Sequence, residues 1–214
     1  MTTRIYLVRH GQSTFSIEDR FCGITDVDLS ATGRGQAGRL AQRLAGDDIA
    51  AFYCSPLRRT LETAMILSMP HQMRPDERAG LRELHFGHWE SMPRQDVKTQ
   101  FAAEYATWQH DPYNIAPRGG ESGAEVLARA LPAMQEIVMN HDGQTVVVVS
   151  HKSTIRLLLT SWLGIDSRFY RDRLGQLPAS LNVLDFEDAV HARLLLFNDV
   201  SHYVNQQHPK DAIP

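Results

Sequence analysis

The chain has 214 residues, 43% hydrophobic and 22% charged, with a formal net charge of -3. Those values sit near the average for globular domains and leave no basic footprint for nucleic acid or an anionic membrane. No uncharged apolar run approaches the roughly 18 residues of a membrane span, and no basic, then apolar, leader opens the chain, so a cytoplasmic location is the expectation. Two cysteines, Cys22 and Cys54, are expected as reduced thiols. No linker-like stretch divides the sequence, which predicts one domain over 1–203 with a loose tail over 204–214.

Arg4-Ile5-Tyr6-Leu7-Val8 is a short β-rich run that ends abruptly in Arg9-His10-Gly11. A buried strand that delivers polar groups at its carboxyl end is the pattern of ligand sites in open α/β sheets. Ser30 is placed to cap a helix with Ala37, Leu40, Ala41 and Leu44 on one face, stopped near Gly46. Ile49 to Tyr53 reads as a second strand. Cys54-Ser55-Pro56 turns into a helix with Pro56 in its first turn and Leu57, Leu61, Ala64 and Leu67 on its apolar face.

From 70 to about 120, Pro93, Pro112 and Pro117 interrupt short helical patches, and this stretch is expected to form a cap over the ligand end of the sheet. Ser122-Gly123-Ala124-Glu125 has the form of a capping box, with Pro132 inside the helix that follows. Thr145 to Ser150 is the strongest strand signal, and its unbroken β-branched character suits a central strand buried on both faces. It ends at His151, and a helix runs from Ser153 to Leu163 before Gly164. Leu181–Phe186 and Val190–Phe197 read as an antiparallel hairpin, after which Asn198 to Tyr203 is placed to fold back toward the site. The fold class expected is a three-layer α/β/α domain with a mainly parallel sheet.

Three strand ends thus deliver Arg9 with His10, Ser55 with Arg59, and His151 to one crevice. Phosphoryl transfer asks a protein for a nucleophile and for donors around three equatorial oxygens, and Arg supplies those donors in a planar fork. Leu7-Val8-Arg9-His10-Gly11-Gln12-Ser13, Cys54-Ser55-Pro56-Leu57-Arg58-Arg59-Thr60-Leu61-Glu62-Thr63-Ala64, Leu81 to Glu90, Gly119-Gly120-Glu121-Ser122 and Val148-Val149-Ser150-His151 together resemble the histidine phosphatase superfamily, also called phosphoglycerate-mutase-like. The five motifs stand in the family's order between residue 5 and about residue 160.

The resemblance implies that His10 is the nucleophile, that Arg9, Arg59 and His151 bind the phosphoryl oxygens, and that Glu83 is the proton donor. Glu83 then has to carry a proton while substrate is bound, a state that burial and the incoming dianion favour and nearby arginines oppose. The implied activity is hydrolysis of a small phosphorylated metabolite, with no metal and no cofactor. Three positions depart from the family pattern: Ser16 stands where Asn is common, Cys22 where Gln is frequent, and Lys152 where Gly usually follows the second His. Ser16 is expected to keep a hydroxyl contact to phosphate, and Lys152 to meet a second anionic group on the substrate.

Phe21, Cys22, Phe86 and Lys152 are the expected pocket residues, with Trp89 open between pocket and core. Glu90 and Glu121 compete with Glu83 for the acid role. Asp26-Val27-Asp28-Leu29-Ser30 superficially matches the start of Mg-dependent aspartyl-phosphate phosphatases but follows no apolar strand, and Cys54 lacks the Arg six residues on that a cysteine phosphatase needs. A cofactor-dependent phosphoglycerate mutase is the main alternative. The short interval between Glu83 and Gly119 argues against it, and a non-catalytic phosphate-binding protein comes third. The sequence leaves a homodimer open.

Overall fold

The computed structural model describes residues 1–204; the predicted tail over 204–214 therefore lies, but for Val204, outside the described residues. Six strands form one sheet in the order β3-β2-β4-β1-β5-β6. They are β1 (Thr3–Arg9), β2 (Ala51–Cys54), β3 (Asp76–Glu77), β4 (Thr145–Ser150), β5 (Leu181–Phe186) and β6 (Ala192–Asp199). The first four run parallel, with Ile5 opposite Val146 and Arg9 opposite Ser150, while β5 and β6 extend the sheet antiparallel. The hairpin expectation holds, with β6 starting two residues later than its first apolar residue. β3, two exposed residues between Pro75 and Arg78, carries no hydrophobic signal and was not foreseen.

Eight α-helices stand among the described residues: α1 (Thr14–Ile17), α2 (Ala31–Leu44), α3 (Arg58–Ser68), α4 (Arg94–Gln100), α5 (Ala102–His110), α6 (Gly123–Met139), α7 (Lys152–Trp162) and α8 (Tyr170–Arg173). The continuous apolar run of β4 splits by parity. Val147 and Val149 join Leu40, Leu44, Ala64 and Leu67 of α2 and α3 on one face, and Val146 and Val148 join Val126, Met134 and Leu158 of α6 and α7 on the other. This is the three-layer arrangement, and the valines at 146 to 149 are all fully buried. Each such side chain contributes about 1.5–3 kcal/mol on leaving water, which is why a strand this short can hold both layers.

Local chemistry sets the boundaries. Ser30 caps α2 through Gly33 N–H, and Ser122 and Glu125 form the capping box of α6, which continues through Pro132 without a break. Pro56 does not enter the helix as expected: α3 begins at Arg58, whose N–H is taken by Asp26 Oδ1 at 2.7 Å. A cap supplied by a distant loop thus fixes the start, and Asp28 pairs with the Arg58 guanidinium. The Asp26-Val27-Asp28 stretch is spent on holding α3.

The stretch from 70 to 120 does contain the cap, in the form of α4, α5 and the turn Gly87–Trp89, packed on an aromatic cluster of Phe21, Phe86, Trp89, Tyr105 and Trp108. Gly87 has φ +57°, and a Cβ there would lie 2.1 Å from the Arg118 carbonyl oxygen, so no side chain fits. No helix among the described residues is long and apolar enough to cross a membrane.

Candidate active site

The carboxyl ends of β1, β2 and β4 open onto a cavity of about 600 Å³. Arg9, His10, Arg59 and Glu83 line it, as do Ser16, Phe21, Cys22, Phe86 and Lys152. The expected site residues other than His151 are therefore on one wall or another of a single cleft. His151 is fully buried behind that surface, its ring 5.2 Å from that of His10 and steeply tilted to it.

His10 is 5% exposed, and its Nδ1 stands 2.7 Å from the Gly11 carbonyl. A carbonyl only accepts, so Nδ1 carries the proton and Nε2 keeps its lone pair. Burial, then Arg59 and Arg9, hold the His10 imidazolium form well below the usual range for histidine. A neutral ring with a free Nε2 is the form in which histidine acts as a nucleophile. Gly11 permits this geometry by close packing: a Cβ on it would sit 2.5 Å from the Gly33 carbonyl oxygen in the first turn of α2.

The tautomer of His151 follows in the same way. Ser55 Oγ lies 2.8 Å from His151 Nε2 and accepts a long bond from Leu57 N–H at 3.4 Å. Ser55 is fully buried, its hydroxyl proton needs an acceptor, and among the described residues His151 Nε2 is the one in reach. The Ser55 hydroxyl therefore donates, leaving His151 protonated at Nδ1, an atom with no partner. Burial, Arg59 and His10 lower the His151 pKa well below the usual value, so this ring is neutral too.

Arg59, 1% exposed, is held by the carbonyls of Thr25 and Gly23, while Arg58 beside it is exposed and paired with Asp28. Arg9 donates to the Gln176 carbonyl at 2.6 Å, and burial lowers its pKa to about 10. The Nε atoms of both arginines are buried without a partner. With His151 Nδ1 they make three buried donors without a partner.

Of the three candidate glutamates, Glu83 lines the cavity and Glu90 and Glu121 do not. The Glu83 carboxylate accepts N–H bonds from the adjacent Leu84 (2.9 Å) and, at the amino end of α7, from Ser153 (3.1 Å) and Thr154 (3.3 Å). Glu121 instead pairs with Arg129, which also binds the carbonyls of Gly80, Arg82 and Glu83 and so fixes the backbone that carries Glu83. Glu90 accepts from the N–H groups of Ile24, Thr25 and Phe86 and from the Thr25 hydroxyl. It ties the loop of Cys22 and Gly23 to the cap.

Ser16 lines the cavity, but its hydroxyl accepts the Ser13 N–H at 2.8 Å and donates to the Ser13 carbonyl in the capping box of α1. It can reach phosphate only by leaving these bonds. Cys22 sits 3.7 Å from the Thr25 carbonyl, and burial pushes its thiol up to about 11. Trp89 is fully buried core. Sequence reasoning missed Arg20, Arg94, Arg156, Gln176, Leu177 and Pro178, which also line the cavity. Asn198 also lines the cavity and holds Leu177 N–H, and Tyr203 donates to the Pro178 carbonyl, so the segment from 198 to 203 does fold back.

A buried neutral histidine, two partly unsatisfied arginines and a carboxylate at one strand-end cleft define a protein that transfers phosphoryl groups. Residues 5–200 match the family model "Histidine phosphatase superfamily (branch 1)", and the chain belongs to that superfamily. It is an enzyme of the phosphoric monoester hydrolase class. The chain is 33% identical over 186 residues to phosphoserine phosphatase 1 of Hydrogenobacter thermophilus, covering 86% of this chain and 87% of that one. Among solved structures, YhfR of Bacillus stearothermophilus superposes with TM-score 0.88 at 30% identity, over 94% of this chain and 98% of the other. A mycobacterial glucosyl-3-phosphoglycerate phosphatase superposes with TM-score 0.84 at 27% identity, over 92% and 99%.

Proposed function

We propose that the protein hydrolyses a small phosphorylated metabolite in two displacements at His10. The observation that carries this reading is the fixed tautomer of His10, whose Nδ1 is committed to Gly11 so that Nε2 is free beside Arg9 and Arg59. In the first displacement the Nε2 lone pair attacks phosphorus in line, the ester P–O bond breaks, and Glu83 supplies the proton that leaves with the alcohol. In the second, Glu83 takes a proton from water, the new P–O bond forms, and the P–N bond breaks to return neutral His10. Arg9, Arg59 and the His151 Nδ1–H are donors for the equatorial oxygens in both steps, which accounts for their unsatisfied atoms.

Two of the relatives are named as phosphatases of different small phosphate monoesters, phosphoserine and glucosyl-3-phosphoglycerate, so the family leaves the alcohol portion open. The test is phosphate release over a panel of phosphorylated metabolites, with His10→Ala alongside. The reading predicts at least one good substrate and a loss of roughly a thousandfold or more in the variant. Equal rates from parent and variant would remove His10 from the chemistry.

A further inference from the structure

The catalytic cavity does not end at the phosphoryl-binding residues. A second cavity of about 290 Å³ adjoins it and shares Asp19, Phe86, Arg94, Lys152, Ser153 and Arg156 as walls. Beyond these it is closed by Tyr105, Trp108, Tyr170 and Arg171, residues the proposed hydrolysis does not use. Its character is an aromatic box edged with cations. Arg171 stacks on Trp108 with its guanidinium carbon 4.2 Å from the ring centroid, and Arg94 lies 4.3 Å over Phe21.

The charges in this annex are unbalanced. Arg94 is paired with Asp19, but Lys152, Arg156 and Arg171 have no carboxylate within ion-pair distance among the described residues. Lys152 and Arg156 are one helical turn apart on the same face of α7, so their heads are neighbours. Arg156 Nε is buried with no hydrogen-bond partner, and so is the hydroxyl of Tyr170, a residue 1% exposed. The acidic groups that act on Arg156 are Glu83 and Asp172, and Glu83 is already committed to backbone N–H groups. Burial and neighbouring Arg171 lower Arg156 to about 10, and burial with Arg9, Arg156 and Arg94 lowers Lys152 to about 8. Packing like charges this closely, with donors left unsatisfied, costs stability unless an anion is bound there for part of the working cycle.

We infer that the annex is a subsite for a second oxyanion, so that the substrate is a phosphomonoester whose alcohol carries a carboxylate or a further phosphate, held by Lys152, Arg156 and the Tyr170 hydroxyl. The aromatic walls take the short carbon portion between the two anions. This rests on the phosphohydrolase reading above. Arg9 and Arg59 hold the group that is transferred; the annex grips the group that leaves, and so sets which alcohol is accepted.

The experiment compares kcat/KM for matched pairs: a phosphorylated hydroxy acid against its carboxamide, and a bisphosphate against the corresponding monophosphate. p-Nitrophenyl phosphate, which has no second anion, serves as the reference. The parent protein is expected to prefer the acid or the bisphosphate by about tenfold or more, the scale of one charge-assisted hydrogen bond in a partly buried site. Lys152→Met and Arg156→Met each bring that ratio to within about threefold of unity, and Arg156→Lys restores part of it. Lys152→Glu, on the wall that the two cavities share, inverts the ratio even if the Arg156 variants fold poorly. A preference for the carboxylate pair alone or the bisphosphate pair alone identifies which oxyanion is native to the site. A parent ratio near unity in both pairs, with turnover of p-nitrophenyl phosphate still dependent on His10, overturns the subsite and leaves the hydrolase reading standing. If that reference turnover survives His10→Ala, the reading beneath it falls as well.

Discussion

Ser55→Ala tests the donor arrangement around the nucleophile at a residue that does not line the cavity. The 2.8 Å bond between Ser55 Oγ and His151 Nε2 joins two fully buried residues. Removing the hydroxyl leaves Nε2 buried without a donor, at a cost of about 2 kcal/mol, which for a chain of this size is roughly a 4–8 °C fall in Tm. It also frees His151 to move its proton to Nε2, which turns Nδ1 from a donor into an acceptor. Losing the preference for one tautomer is worth about 1 kcal/mol, so kcat/KM should fall roughly 5–10-fold. His151→Ala removes the donor altogether and should cost about a hundredfold or more. The assay is ¹⁵N NMR of selectively labelled histidine, read with the kinetics. The parent should show His151 protonated at Nδ1 and bare at Nε2, and Ser55→Ala should show mixed protonation. A parent in which Nε2 carries the proton refutes the argument, whatever the rates.

Three other perturbations follow from the same geometry. Because folded His10 and His151 are held well below the histidine range, neither Cε1 proton should titrate near pH 6.5 in the free protein; the unfolded chain then binds more protons below that pH, and stability should drop as pH falls from 7 to 5. An inflection of either ring near 6.5 contradicts the electrostatics. Lys152, charged below about 8, should lose its charge as pH rises through that value, so the preference for a second anion should decline between roughly pH 7 and 9 and the decline should vanish in Lys152→Met; a preference constant to pH 9 removes Lys152 from it. Glu83→Gln keeps an acceptor for the α7 N–H groups but cannot pass a proton. It should slow alkyl phosphates by about 10²–10⁴-fold, while p-nitrophenyl phosphate gives a burst followed by slow water attack. Equal losses with no burst would assign the proton transfer elsewhere.

How much of this was legible beforehand depended on whether a role is written in local pattern. Val146 to Val149 announce a two-sided strand, and its abrupt end at His151 locates the site, because a buried run that stops at polar groups has to stop where those groups are used. The capping box at Ser122 and Glu125 was readable for the same reason. Glu90 was not: its carboxylate is defined by backbone N–H groups over sixty residues away, at Ile24 and Thr25. Asp26 capping α3 across a loop displaced the expected start at Pro56 by the same kind of long-range contact. Ser16 has the right chemistry for phosphate, yet a nearer partner, Ser13, claims its hydroxyl. Arg156 did leave a signal, a lone cation between buried Ile155 and Leu157 and four residues after Lys152, but the annex that gives it meaning forms only when α5, α7 and α8 meet.

Both displacements turn on the Nε2 atom of His10. Rapid quenching into alkali during turnover, followed by peptide mapping, should recover an acid-labile, alkali-stable phosphoryl group on His10 at Nε2, absent from His10→Ala. Turnover with no trapped phosphoprotein and with inversion of configuration at phosphorus, or a phosphoryl group recovered on another residue, would contradict it.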